Sequence, residues 1–249
     1  SSDITVCLNV EATVHSIKYL RPYSLFDYVV SHKKISTENC FYYSIGVEHI
    51  VNNNFLDLRK VSSEKSNKDN LAKICWITSN YTKIFQYNSF VFDLPIKVEL
   101  YGNYGRRIVL TDNNQDLQKK WIRSSQKAMK DYDAHISIEN SNQGGYFSGI
   151  PLYSLFSGVV PIVIGENKIH RTVFNPKAYV ELNDKSLSRE DLNKKVKNCK
   201  EFILDASLDD LFTSEFFDYL CFIKEVSFFN RSNLKKSQEF RKKICKESL

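Results

Sequence analysis

The sequence predicts an α/β fold with a Rossmann-like parallel sheet. Two observations carry this: from Lys73 onward short β-rich runs recur, and helix-length segments separate them. Strands separated by helices imply right-handed crossovers and a parallel sheet covered on both faces. The strands are "KICWITS" (73–79), "KVELYG" (97–102), "AHISIE" (134–139), "VVPIVIG" (159–165) and "AYVEL" (178–182). Helical segments lie between them: "IFQYNSFVFDL", "DLQKKWIRSSQKAMKDY", "PLYSLFS" and "KIHRTVF".

Two further helices are expected in "SREDLNKKVKNCKEFIL" and "SLDDLFTSEFFDYLCFIKEV", capped by Ser188 with Asp191 and by Ser207 with Asp210. Upstream, "EATVHSIKYL", "FDYVVSH" and "CFYYSIGVEHIV" suggest two or three strands, followed by the polar run "SSEKSNKDN". The expected organisation is the end of a preceding domain at 1–61, a linker at 62–70, a Rossmann-like domain at 71–228 and a basic helix at 229–249.

The 249 residues carry a net charge of +6, but residues 231–249 hold seven Lys/Arg and two Glu, so the body is nearly neutral. The basic tail reads as an exposed helix with a solvated face, and no nucleic-acid partner is expected. No run approaches the roughly 20 apolar residues that span a bilayer, so no membrane contact by this segment is expected. The first twenty residues lack the order of a signal peptide. Six cysteines show no C-x-x-C pair and no Cys/His cluster, which argues against zinc, and Cys75 reads as a packed apolar residue. "NYT" at Asn80 and "NRS" at Asn230 are formal glycosylation acceptors.

Ligands of an open parallel sheet bind beyond the carboxyl ends of its strands. At that edge "AHISIE" delivers Glu139, Asn140 and Ser141, "NQGG" turns, a helix starts near Pro151, and Gly158 can close it. On the residues alone, an ordinary βαβ unit whose Asn140 and Ser141 cap a loop remains the alternative.

"ISIENSNQGGYFSGIPLYSLFSGVVPIVIG" followed by "FNPKAYVELND" resembles the donor-site signature of the α-1,3-fucosyltransferases. "WITSN", "VELYGNYG" and "NVEATVHSIKYLRPYSLFDYVVS" match other parts of that pattern, so the resemblance runs from about Val10 to Asp184. It implies a two-domain GT-B architecture with its N-terminal domain truncated here. It also implies GDP-fucose as donor, inverting transfer to a hydroxyl of an acceptor glycan or glycoprotein, no cofactor and no metal. A Golgi-lumen setting in the secretory pathway is implied as well. The family's base, a carboxylate of the N-terminal domain, has no counterpart in this chain.

Matched residue by residue, the donor-binding set is Glu139, Asn140, Tyr146, Ser148, Gly149 and Ile150. Two of these depart from the pattern: Gly149 stands where the family has Glu, and Ile150 where it has a diphosphate-binding Lys. The Arg that follows the family's Ser-Asn strand is also missing, with Gln86 nearest to its place. Losing one preorganised donor to a leaving group costs about 3–4 kcal/mol, so losing two costs on the order of 10⁴ to 10⁶ in rate. Lys168, Arg171 and Arg106 are candidate replacements, with His170 and Arg107 beside them; each also reads as a solvated loop residue. The function expected is therefore a fucosyltransferase with displaced cations, or a pseudoenzyme of the same fold that binds a glycan or a protein. His135, inside a strand, reads as a packed histidine, and "DYD" (131–133) precedes its strand, which argues against a metal-diphosphate motif.

Overall fold

A computed structural model describes strand backbone at 6–9, 28–31 and 40–42, then residues 71–78, 81–102, 105, 106, 108, 117–139, 148–165, 170–182, 187–207, 209–214 and 216. The first three strands, β1 (Val6–Asn9), β2 (Tyr28–Ser31) and β3 (Cys40–Tyr42), form a parallel sheet in the order β1-β2-β3. β2 and the start of β3 lie where the sequence places strands. The expected linker and the basic helix at 229–249 lie outside the described residues.

The main sheet is parallel, as expected. Its strands are β4 (Ile74–Ile77), β5 (Val98–Tyr101), β6 (Ala134–Ile138), β7 (Val160–Ile164) and β8 (Val180–Leu182), in the order β5-β4-β6-β7-β8. Each inter-strand connection contains a helix: α1 (Tyr81–Phe92), α2 (Leu117–Met129), α3 (Ile150–Phe156) and α4 (His170–Val173). α5 (Arg189–Asp205) follows β8. The chain leaves β4 for one neighbour, β5, and returns past it to the other, β6, so the topological switch point lies between β4 and β6.

Burial on both faces explains the apolar strands. Ile74 and Trp76 join the large core with Ile136, Leu152 and Ile162, while Cys75 and Ile77 point to the other face and pack with Met129, Tyr132 and Val159. Cys75 is fully buried, and burial pushes its thiol well above the ordinary range. It packs as the sequence suggests.

Local signals are used as read. Ser188 accepts from the Asp191 N–H at 3.1 Å to start α5. Pro151 lies in the first turn of α3, and Gly158, at φ 69°, supplies the left-handed residue just after that helix. The Ser207/Asp210 capping box also forms, with the Ser207 N–H donating to Asp210 Oδ2 at 3.0 Å. It opens a 3₁₀ turn, Asp209–Leu211, where the Asn175 N–H donates to Leu211 O and Phe174 bridges Phe212; Ser214 and Phe216 are helical, and most of the longer expected helix lies outside the described residues.

The opposite, amino-terminal edge of the sheet is tied to α5 by a buried ion pair. Lys200 Nζ donates to Asp133 Oδ1 at 2.6 Å and to Tyr132 O at 3.3 Å, while Asp133 Oδ2 accepts from the Lys73 N–H at 2.9 Å. Asp133 is thus engaged away from the carboxyl edge, which agrees with reading "DYD" as structural.

Candidate donor site at the switch point

The crevice begins with a short ladder. β4 and β6 pair at only two positions, Ile74 with Ala134 and Cys75 with His135, whereas β6 and β7 pair at five. The Ile77 N–H, further along β4, donates to His135 Nε2 at 3.2 Å instead of to a strand carbonyl. That bond makes Nε2 the acceptor, so the neutral ring carries its proton on Nδ1, which faces Ser154 Oγ at 2.9 Å and Ser137 Oγ at 3.2 Å. Ser154 in turn donates to Ile150 O at 3.3 Å. One imidazole therefore links β4, β6 and α3.

His135 is 1% exposed, and burial, with Lys83 nearby, pushes its pKa down to about 3. It is a packed neutral histidine, as the sequence reading holds, and its ring stands where the β4–β6 ladder ends.

Lys83 lies over that opening. It stands in the first turn of α1, just past the carboxyl end of β4, and its side chain turns inward to donate to Ile138 O, the last residue of β6. It is 5% exposed. Burial lowers its pKa to about 8, while the Glu139 carboxylate pulls the other way. Gln86, one turn later, is exposed. Sequence reasoning passed over Lys83 because a lysine in "NYTKIF" looks like a solvated helix start; its spacing from the strand end, on the inward face of α1, was the available signal.

Glu139 connects the crevice to α3, since its Oε2 accepts from the Ser148 N–H at 3.0 Å. Ser148 Oγ then accepts from the Ile150 N–H at 3.3 Å. Glu139, Ser148, Gly149 and Ile150 are thus brought together at the entrance to α3, while Asn140, Tyr146 and Lys168 lie outside the described residues.

Gly149 is closed off by a neighbour. A Cβ at this position would stand 2.7 Å from the Tyr153 ring and its hydroxyl oxygen. Tyr153 is buried, which raises its hydroxyl pKa well above the ordinary range. The aromatic ring fills the space into which a Glu side chain would have to project. Gly149→Ala should therefore cost about 1–3 kcal/mol by overpacking, and Tyr153→Ala in the same chain should make the added methyl nearly neutral; denaturant melts of the four species check this.

The two described replacement cations are spent elsewhere. Arg106, past the end of β5, pairs at 2.7 Å with Glu99 of that strand, to which Tyr132 also donates at 2.8 Å. The Tyr132 hydroxyl first, and Arg106 after it, hold the Glu99 carboxyl below its ordinary range. Arg171 makes a two-pronged pair with Glu181 of β8, at 2.9 and 2.8 Å, and His170 Nε2 stands 3.0 Å from the same carboxylate. Neither arginine flanks the β4–β6 gap. No group of three or more His, Cys, Asp or Glu among the described residues could hold a metal.

A parallel α/β domain with ionisable side chains at its switch point belongs to the class of open-sheet domains whose ligands bind beyond the carboxyl ends of the strands. The model of "Glycosyltransferase family 10 (fucosyltransferase) C-term" matches residues 65–203, more than half of the chain. The chain belongs to that family. Its fold is similar to the crystal structure of an α1,3-fucosyltransferase, with a TM-score of 0.53 and 18% identity over 90% of this chain and 74% of that one. Two further α1,3-fucosyltransferase structures, solved with GDP and with GDP-fucose, give TM-scores of 0.49 and 0.48 at 15% and 16% identity; they cover 89% and 86% of this chain and 74% of each of theirs. No curated protein matches.

Proposed function

We propose that this protein binds GDP-fucose in the crevice between β4 and β6 and serves inverting transfer of fucose to a hydroxyl of an acceptor glycan or glycoprotein. The observation that carries this reading is the open switch point of a family 10 C-terminal domain, edged by Lys83, Glu139 and the entrance to α3. In the reaction, the acceptor oxygen forms a bond to C1 of fucose, the bond from C1 to the diphosphate oxygen breaks, and GDP leaves with the electron pair. A carboxylate outside this domain takes the acceptor's proton, and the chemistry needs no metal. Secretory-pathway, Golgi-lumen action on glycoproteins fits the family; among the described residues no helix is long and apolar enough to cross a membrane.

A second reading is favoured by one specific contact, the Tyr153 ring packed against Gly149. In that reading the crevice keeps a ligand without turning it over, and the protein acts as a glycan- or protein-binding module. Incubation with radiolabelled GDP-fucose and lactosamine-type or chitobiose-type acceptors separates the two. Label on the acceptor supports transfer; no labelled acceptor, with a glycan captured on an array or a protein in a pull-down, supports the second reading; neither transfer nor capture removes both.

A further inference from the structure

We propose that Lys83 is the cation that holds the donor's diphosphate in this protein, in place of the two cations that the fucosyltransferase motif puts at Gln86 and Ile150. This rests on the donor-site reading and assigns its missing charge to a residue that does not occupy either motif position. Three observations point to it. The ammonium group reaches the Ile138 carbonyl at the end of β6, so it lies across the switch point where an open parallel sheet receives its ligand. The described alternatives are committed at the flanks, Arg106 to Glu99 and Arg171 to Glu181. Finally, an ammonium at 5% exposure gives up most of its hydration, which an apolar side chain of the same length would not have to do.

The groups facing Lys83 set its behaviour. Glu139, at the end of β6, is the anionic neighbour that favours the charged form, and His135, on the same strand, is the neutral imidazole whose protonation Lys83 opposes. A diphosphate entering the crevice adds negative charge beside the ammonium and strengthens its hold on the proton. Binding is then strongest below the free-state pKa of about 8 and falls as pH rises above it, because the empty site must take up a proton before it can hold the ligand.

Titration calorimetry of the purified protein with GDP and with guanosine at pH 7 and pH 9 tests this, using wild type, Lys83→Met and Lys83→Arg. Wild type should bind GDP roughly tenfold more tightly at pH 7 than at pH 9, with guanosine unaffected by pH. Lys83→Met should lose at least about tenfold in GDP affinity at pH 7, lose the pH dependence and bind guanosine unchanged. It should also melt no lower than wild type, which separates lost charge from lost fold. Lys83→Arg should keep GDP affinity at pH 7 and hold it at pH 9, because a guanidinium does not titrate there. If Lys83→Met binds GDP like wild type, or Lys83→Arg keeps the wild-type pH profile, the assignment to Lys83 is wrong while the donor site stands. If wild type binds neither GDP nor GDP-fucose, the donor-site reading itself is wrong, and the assignment falls with it.

Discussion

Asp133→Ala should lower the stability of the sheet domain by about 3–5 kcal/mol, enough to shift its melting temperature by about 10 °C. The substitution leaves Lys200 buried with only the Tyr132 carbonyl, and it strips the Lys73 N–H of its acceptor. The loss is large because an ion taken out of water without its counter-ion costs more than the pair returns. Removing both charges tells the two effects apart: Asp133→Leu with Lys200→Met should recover most of the loss. Urea melts of wild type and the two variants check this, and equal destabilisation of the single and double variants would show that shape, not charge, holds α5 to the sheet.

The second large effect is acid sensitivity through His135. Its folded pKa of about 3 lies below the ordinary 6.5, so the unfolded chain binds a proton that the native state refuses. The sign follows directly: this stability is fully present above pH 6.5 and is lost as pH falls toward 3. Between pH 6.5 and 4 the loss should reach about 3 kcal/mol, at about 1.4 kcal/mol per pH unit. His135→Gln, which keeps an acceptor for the Ile77 N–H and a donor for Ser154, should weaken the protein modestly at pH 7 and flatten this acid limb. Denaturant titrations of both proteins from pH 7 to 4 measure the difference. Parallel acid limbs would mean that the imidazole is protonated inside the fold.

Much of the architecture was legible because it rests on local chemistry. "CWI" and "IVI" are buried on both sheet faces and so read as parallel strands, and Ser188 starts α5 through contacts within one turn. The site was legible only in part. Gly149 and Ile150 announce that a charged pair is missing, but nothing in the sequence shows that Tyr153 fills the space beside Gly149. Arg106 and Arg171 looked available because their partners, Glu99 and Glu181, lie 7 and 10 residues away and meet them only once the strands are set. Lys83 looked solvated for the converse reason, since its burial depends on where α1 crosses the end of β6, 55 residues on. The polar residues inside "AHISI" were the sequence's best hint that this central strand borders an opening.

Hydrogen–deuterium exchange with and without saturating GDP tests most directly that the split between β4 and β6 is the donor site. New protection should concentrate at 74–84 and 134–152, the segments carrying Lys83, His135, Glu139 and the entrance to α3, while 189–205 stays unchanged. Bound GDP that protects other segments and leaves these two as they were would contradict the account.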